Sequence, residues 1–265
     1  MTDTIQLVEP KHAIANAFSK AAKSYDKCAA FQRQVADSLL EKLPTDLSGY
    51  NVLDVGCGTG YCSELLRSRG ARVTAFDLSQ QMLIQAELRC GQQGMEYVQG
   101  DVEELPFDSN QFDLVYSSLA LQWCKELSIP LKQLSRVAKK GGVVYFSTLV
   151  DGSLQELKNS WAKVDSNQHV NTFTSQDAIK VALAQTGLVH HQLEFEVIQM
   201  WYPSAMSLMK DLKGIGANHL SAKRNQGLHT RSKLFAVENE YRSYQNQYGL
   251  LPATYQVCFG VIIND

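Results

Sequence analysis

The sequence VLDVGCGTG at residues 52–60 restricts the fold of this chain more than any other segment. Its apolar start is typical of a short buried strand, and Gly56, Gly58 and Gly60 follow that strand at once. Glycines at this place allow a tight turn from a strand into a helix, and they let a ligand approach the backbone closely. The segment therefore predicts a binding site at a strand-to-helix turn. A glycine turn used only for tight packing is the alternative.

Alternating strand and helix signals surround this turn. Apolar runs predict five strands, at residues 51–55, 71–76, 96–99, 112–117 and 143–149, with helical patterns between them and over residues 1–48. Two further strands are predicted at 188–200 and 253–263, with helical stretches at 204–246. This alternation predicts an α/β fold with a parallel, doubly wound sheet, whose ligand binds at the carboxyl ends of the strands beside the first one. We expect one domain over residues 1–265.

Composition argues against several classes of function. The chain carries 25 Lys and Arg against 27 Asp and Glu, so a net charge of −2 gives no global field for nucleic acid or an anionic membrane. No apolar run approaches the roughly 18 residues that a membrane-spanning helix needs. The six cysteines form no CxxC pair and no cluster with metal-ligand spacing. We therefore expect reduced thiols, no metal site and a cytoplasmic protein.

Two kinds of cofactor compete for the glycine turn. A dinucleotide fold needs G-x-G-x-x-G, but Tyr61 stands where the last glycine would be. The strand before the turn also carries an acid, Asp54, which is a poor neighbour for an anionic pyrophosphate. S-adenosylmethionine instead has a sulfonium and an ammonium group, which a carboxylate favours. The turn therefore favours S-adenosylmethionine over a nicotinamide dinucleotide, and a methyltransferase over an oxidoreductase.

Later strand ends supply further cofactor candidates. Asp77 ends the second strand, where an acid can accept both ribose hydroxyls, and a helix N-terminal acid is the alternative. Asp101 follows the third strand, where it can bond an adenine amino group with Val102 against the ring, or simply be a turn residue. The complete predicted cofactor-binding set is Asp54, Gly56, Cys57, Gly58, Gly60, Asp77, Leu78, Met82, Asp101, Val102, Ser117 and Leu119.

In combination, VLDVGCGTG, the acid after strand two, GD after strand three and FDLVYSS at strand four resemble the class I S-adenosylmethionine-dependent methyltransferases over residues 51–149. The resemblance implies a Rossmann-like sheet of seven strands in the order 3-2-1-4-5-7-6, with the seventh strand antiparallel. It also implies a cofactor-binding core at residues 49–150 and a helical lid insertion at 201–252. A domain that binds the cofactor without catalysis is the rival from another class.

Four segments outside that core are similar to the biotin-pathway malonyl-[acyl-carrier protein] O-methyltransferases, a resemblance that spans about residue 10 to residue 263. They are the Ile14…Tyr25 stripe, LALQWC at 119–124, TLV…GSL at 148–154 and LKGIGANHL at 212–220. The resemblance implies methyl transfer to the free carboxylate of malonyl-[acyl-carrier protein] or its coenzyme A thioester. A methyltransferase for another small carboxylic acid or a quinone is the alternative.

A carboxylate acceptor is already ionised near pH 7, because its reference pKa is about 4, so we predict no general base. Tyr25 and Trp123 are the candidate catalytic residues, suited with Leu119 to line a pocket that excludes water. Ordinary core or lid packing is the alternative for both aromatic residues. Cys57 and Cys124 lie near the predicted site, but this chemistry needs no thiol, and packing is the favoured interpretation of both.

Substrate-binding candidates come from a basic segment at residues 210–233, which holds six Lys and Arg against one Asp. This segment can steer an acidic carrier protein and its phosphopantetheine phosphate toward the site, or it is a solvated helix face. It lacks the interleaved aromatic residues that stacking on nucleic-acid bases needs. Lys213, His219, Lys223 and Arg224 are the candidates. His169 and Asn171 also resemble the subfamily, but a structural loop histidine is the favoured interpretation of His169.

Overall fold

A computed structural model describes residues 9–217 and 231–264 of the chain. Seven strands form one sheet in the order 3-2-1-4-5-7-6, as the family resemblance implies. The strands are β1 Asn51–Val55, β2 Arg72–Asp77, β3 Met95–Gln99, β4 Phe112–Ser118, β5 Ala138–Leu149, β6 His191–Tyr202 and β7 Leu251–Ile263. The described helices are α1 Glu9–Ala21, α2 Tyr25–Cys28, α3 Ala30–Leu40, α4 Tyr61–Ser68, α5 Gln80–Cys90, α6 Ser128–Val137, α7 Gln155–Ala162, α8 Gln176–Thr186, α9 Ala205–Gly214 and α10 Arg231–Tyr241.

The parallel half of the sheet is buried on both faces. Strand β1 lies between β2 and β4, so that Val52 pairs with both Val73 and Leu114. Val52 belongs to one buried cluster, packed with residues of α3, α4 and α5, and Leu53 belongs to the other, packed with residues of α6 and α8. Because successive strand residues point to opposite faces, this two-layer core requires the continuous apolar run that β1 has.

Strands β6 and β7 complete the sheet at one edge. Strand β7 is antiparallel to both β5 and β6, as the family resemblance implies. The expected start of β5 at residue 143 is wrong, because the strand begins at Ala138. Its register against β4 shifts between Phe112 and Leu114, and Gly141 has φ +72°. Gly141 and Gly142, which directly precede the predicted strand, therefore belong to a bulge inside β5.

The N-terminal helices lie against the carboxyl ends of the parallel strands. Ser19 of α1 hydrogen-bonds Ser79, the N-cap residue of α5, with 2.8 Å between their hydroxyl oxygens. Ser24 donates to the carbonyl of Gly214 at the end of α9, at 3.1 Å. Ser24 is the N-cap residue of α2, so α1 lies against the start of α5 and α2 meets the end of α9. Within residues 9–217 and 231–264, none of the helices is long and apolar enough to span a bilayer.

Candidate active site

A cavity of about 760 Å³ opens at the carboxyl ends of β1, β2 and β4, beneath α1. Ten of the predicted site residues line it: Tyr25, Gly56, Gly58, Asp77, Leu78, Met82, Asp101, Val102, Leu119 and Trp123. They come from five separate stretches of the chain, which the fold brings together at one edge of the parallel sheet. We call this space the first cavity.

The glycine turn forms one wall of the first cavity. Gly56 and Gly58 have φ +73° and +55°, values that side-chain-bearing residues rarely adopt. A Cβ on Gly56 would lie 2.4 Å from Cβ of Ala120, whereas a Cβ on Gly58 would meet only the Tyr25 ring, at 4.0 Å. Gly56 is therefore required for close packing of the β4 loop, and Gly58 leaves room for a ligand against the backbone.

Asp77 presents a carboxylate to the cavity from the end of β2. Its Oδ2 accepts the N–H of Gly58 at 2.9 Å, and its Oδ1 accepts the N–H of Ser79 at 2.8 Å. Burial raises the pKa of Asp77 to about 6, although these backbone hydrogen bonds oppose the shift. The carboxylate is thus held in one orientation, with lone pairs left for the hydroxyl groups of a ligand. Because Ser79 is the N-cap residue of α5, Asp77 also lies at the N-terminus of that helix, as the alternative interpretation of this acid predicts.

Asp101 is tied to α1 by a contact that the sequence does not predict. Nζ of Lys11 lies 2.6 and 2.5 Å from the two carboxylate oxygens of Asp101, and 2.5 Å from Oε2 of Glu103. Burial lowers the pKa of Lys11, but hydrogen bonds to both acids outweigh it and raise that pKa overall. Lys11 also lines the first cavity, together with Ile14 and Phe18 of the same helix. The sequence alone gives Lys11 the pattern of an ordinary surface residue on an amphipathic helix, so it offers no sign of this contact.

Four of the predicted cofactor residues do not line the first cavity, so their direct contact with a ligand stays a prediction that this cavity does not support. Asp54 is only 2% exposed and accepts a hydrogen bond from Ser63 at 2.6 Å. Burial raises its pKa to about 7. Ser117 is fully buried and donates to the carbonyl of Val55 at 3.0 Å.

The two remaining residues of that group belong to the turn. Cys57 is buried behind it, and burial raises the pKa of its thiol. Gly60 caps α4, and a Cβ there would lie 2.9 Å from the backbone of Ala86 in α5. Both residues support the turn from the side facing the core, so their contribution is packing. The other thiol near the site, Cys124, lines the first cavity.

A second cavity, of about 690 Å³, adjoins the first. The two share Phe18, Tyr25, Leu119 and Trp123 in their walls. Trp123 packs edge-to-face on Phe18, with 5.3 Å between the ring centroids. Burial, and to a smaller extent Asp77, raises the pKa of Tyr25, so that its phenol is neutral at physiological pH. The two candidate catalytic residues therefore lie at the junction between the cavities.

The second cavity is mainly apolar. Within the described residues, its lining contains no Lys, Arg, Asp or Glu, and its polar side chains other than tyrosine are Gln32, Gln122, His169 and Asn171. Gln122 donates to the carbonyl of Leu119, while its Oε1 is buried with no hydrogen-bond partner among the described residues. An unpaired acceptor in a cavity wall can accept a hydrogen bond from a ligand or from a water molecule.

The predicted substrate residues lie apart from both cavities or outside the described chain. Lys213 is exposed in the last turn of α9 and lines neither cavity. His219, Lys223 and Arg224 fall outside the described residues, so their roles stay predictions. His169 lines the second cavity and is also held by its neighbours in the loop before α8.

Comparison with known proteins agrees with this architecture. The sequence profile of the methyltransferase domain family matches residues 53–146. The malonyl-[acyl-carrier protein] O-methyltransferase of Serratia marcescens is 44% identical over 255 residues, which cover 96% of each chain. The enzyme of that name from Salmonella typhimurium is 42% identical over 255 residues, covering 96% of this chain and 98% of its own.

Solved structures with low sequence identity share the fold. The YcgJ protein of Bacillus subtilis superposes with a TM-score of 0.63 at 13% identity, covering 88% of this chain and 98% of its own. A phosphoethanolamine N-methyltransferase of Haemonchus contortus, solved with S-adenosylhomocysteine, gives a TM-score of 0.57 at 20% identity, covering 93% and 57% of the two chains.

The strand order and the matched profile place the chain among the class I S-adenosylmethionine-dependent methyltransferases. Within that class, identities of 44% and 42% over almost the whole length decide the family. The chain belongs to the malonyl-[acyl-carrier protein] O-methyltransferases.

Proposed function

We propose that this protein transfers the methyl group of S-adenosylmethionine to the free carboxylate of malonyl-[acyl-carrier protein]. The product is the methyl ester that primes pimeloyl synthesis for biotin. The observation that carries this proposal is the pair of joined cavities, one with a glycine turn and two acids, the other mainly apolar. The near full-length identity to enzymes of that name supports the same acceptor.

The first cavity fits the cofactor. Open space lies next to the backbone of Gly58, where a ligand can approach it. The Asp77 carboxylate, which also accepts the N–H of Gly58, would accept hydrogen bonds from the two ribose hydroxyls. Asp101 and Val102 would hold the adenine, with Met82 in the same wall. When bound, S-adenosylmethionine supplies a methyl group on a positively charged sulfur, which an oxygen nucleophile can attack.

The residues at the junction of the cavities have a positioning task. The acceptor carboxylate needs no base, because a reference pKa of about 4 leaves it ionised. Tyr25, Leu119 and Trp123 would exclude water and align oxygen and methyl carbon for in-line attack. The negative charge of the carboxylate and the positive charge of the sulfonium cancel as the transition state forms. A mainly apolar wall therefore destabilises the charged reactants more than it destabilises the transition state.

The carrier protein is the proposed partner. Lys213 and the predicted Lys223 and Arg224 would draw an acidic carrier protein toward the cavity mouth, within the proposed lid insertion at 201–252. His219 would lie in the same insertion, near the acyl end. We further propose a cytoplasmic location, because all six cysteines are free thiols.

Mass spectrometry of the acyl-carrier protein tests this function. Malonyl-carrier protein incubated with the protein and S-adenosylmethionine should gain one methyl group, and acetyl-carrier protein, which lacks the free carboxylate, should gain none. Methylation of a free small acid or a quinone, with the malonyl-carrier protein unchanged, would instead favour the alternative acceptor class.

A further inference from the structure

Helices α9 and α10 pack against each other and leave apolar side chains exposed near their contact. The carboxylate of Glu238 on α10 accepts the N–H of Met206 at the start of α9, with 3.2 Å between oxygen and nitrogen. Phe235 lies one helical turn before Glu238. The side chain of Met206 is 42% exposed and that of Phe235 is 65% exposed. Two large apolar side chains therefore lie in water on either side of the Glu238 carboxylate.

Unpaired cations flank these two side chains. Lys210 and Lys213 follow Met206 at spacings of four and three residues, and Arg231 precedes Phe235 by four, so each set lies on one side of its helix. All three cations are exposed, and within the described chain none of them forms an ion pair. We call these five side chains the α9–α10 face: Met206, Lys210, Lys213, Arg231 and Phe235.

The acids on the same two helices do not cancel this charge. Oε2 of Glu240 lies 3.0 Å from Nζ of Lys163 on α7. Burial, and to a smaller extent Asp211, raises the pKa of Tyr202 to about 12, so Asp211 lies close to the end of β6. Glu238 is bound to the backbone of α9. Even with Glu238 counted against its three cations, the α9–α10 face has a net positive charge.

The opposite side of α9 belongs to the second cavity. Leu212 and, just beyond the helix, Ile215 line that cavity, whereas Lys210 and Lys213 do not. An α-helix with its side chains is about 10 Å across, so the face and the cavity wall are separated by about that distance. A phosphopantetheine arm is longer than this, and a protein docked on the face can therefore deliver its acyl group to the second cavity.

We propose that the α9–α10 face is the docking surface for the acyl-carrier protein. This rests on the proposed function, and it adds a second helix and an apolar centre to the cations named there. The three cations attract carboxylates of the acidic carrier protein, and Phe235 and Met206 pack on its apolar side chains. Aromatic residues and methionine are enriched in protein interfaces, and charged residues predominate around their edges. The charges accelerate association, and the apolar contact slows dissociation.

The first experiment compares an acceptor on the carrier protein with an acceptor free of it. The KM is measured for malonyl-carrier protein and for the small thioester malonyl-N-acetylcysteamine. Phe235→Ala should raise the KM for malonyl-carrier protein by about tenfold and leave the KM for the small thioester unchanged. Inhibition by the unacylated carrier protein, which depends on docking alone, should weaken by a similar factor. Leu88→Ala, at an apolar side chain 76% exposed on α5, is the matched control and should change none of these values.

A second experiment tests the charges. Lys210→Glu combined with Arg231→Glu should raise the KM for malonyl-carrier protein strongly at low salt, and the increase should shrink as salt screens the attraction. Lys132→Glu is the matched control, because Lys132 is an exposed lysine on α6, which packs on the other face of the sheet. This control should keep the wild-type KM.

Thermal melting and calorimetric binding of S-adenosylhomocysteine report whether each variant keeps its fold and its first cavity. A wild-type KM for malonyl-carrier protein in folded Phe235 and double-charge variants would overturn the proposal. Equal increases for the carrier protein and the small thioester would also overturn it, because they would place Phe235 in a contact within the chain. Sedimentation that shows Phe235→Ala converting a dimer into monomers would assign the face to a second copy of the protein. A wild-type protein that leaves malonyl-carrier protein unmethylated would instead overturn the proposed function.

Discussion

Gly56 and Gly58 stand two residues apart in one turn, and both have positive φ. Their surroundings nevertheless give them different tasks. Gly56 packs against Ala120, because a Cβ added to this glycine would lie 2.4 Å from Cβ of Ala120. Gly58 instead faces the open space of the first cavity. Asp77 accepts the N–H of Gly58, so the turn and the acid proposed to hold the ribose are parts of one hydrogen-bonded unit. At the scale of single residues, packing and binding are thus divided within one short motif.

Alanine substitutions should separate these two tasks. Gly58→Ala should cost about 1–2 kcal/mol of stability from its left-handed backbone and should weaken S-adenosylhomocysteine binding, because the methyl group enters the cavity. Gly56→Ala should cost about 1–3 kcal/mol more, because its methyl group overlaps Ala120. Thermal melting and calorimetry measure the two effects. Gly187→Ala is the control, since Gly187 has a left-handed backbone, with φ +74° and ψ +9°, and nothing lies within 4 Å of an added Cβ. Equal stability of the Gly56 and Gly58 variants would contradict the assignment.

Helix α1 acts as a unit over both cavities. Its residues Lys11, Ile14 and Phe18 line the first cavity, and Phe18 also lines the second. The helix is fastened to the sheet edge by the ion pairs of Lys11 and by Ser19, not by a deep apolar face. Elements that are held by ion pairs and few buried contacts undergo local unfolding at a low free-energy cost.

Lys11→Met should therefore loosen α1 without unfolding the protein. Lys11 is 26% exposed, so the loss in global stability should stay near or below about 1 kcal/mol. Amide hydrogen exchange over Glu9–Ala21 should become faster, and bound S-adenosylhomocysteine should dissociate more quickly. Lys163→Met, which removes an exposed ion pair with Glu240, is the control and should leave exchange in α1 unchanged. Wild-type exchange rates in the Lys11 variant would show that this ion pair does not hold the helix.

At the scale of the whole molecule, the fold buries acidic side chains, and ionisation of a buried acid lowers the stability of the folded state. Burial raises the pKa of Asp54 to about 7, far above the reference value of about 3.9 for an unfolded chain. Between pH 4 and pH 7 the folded state therefore binds more protons than the unfolded state at this site. By linkage, the contribution of Asp54 to the free energy of unfolding falls as pH rises through that window.

Asp54→Asn removes the ionisable carboxyl group. The variant should therefore not lose unfolding free energy at this site as pH rises. The difference in unfolding free energy between the variant and the wild type should increase by a few kcal/mol from pH 5 to pH 8, measured by urea denaturation. Asp46→Asn serves as the control, because hydrogen bonds to Ser48 lower the pKa of Asp46 and no such increase is expected. A difference that is independent of pH would show that Asp54 does not titrate in this range.

Prediction from sequence succeeded where the signals are local. The helix predicted after the second strand begins at Gln80, directly after Ser79, a residue type that favours a helix start, and the serine side chain accepts the N–H of Met82. The predicted start of β5 is too late by five residues, because Gly141 and Gly142 interrupt the apolar pattern, and a bulge favours the same residue type as a turn. Asp54 shows another limit, since an acid in a strand suggests a ligand, whereas its burial beside Ser63 depends on how α4 packs on the sheet.

The sequence by itself determined the sheet, the glycine turn and the family, because apolar period, turn chemistry and motif spacing depend on residues close together in the chain. Only the tertiary structure decided which side chains surround the cavities. Lys11 meets Asp101, and His169 is joined through Asp165 to Lys233, across long separations in sequence. Such contacts depend on how helices pack over the sheet edge, and a polar residue on a helix or in a loop carries no local sign of the partner it will meet.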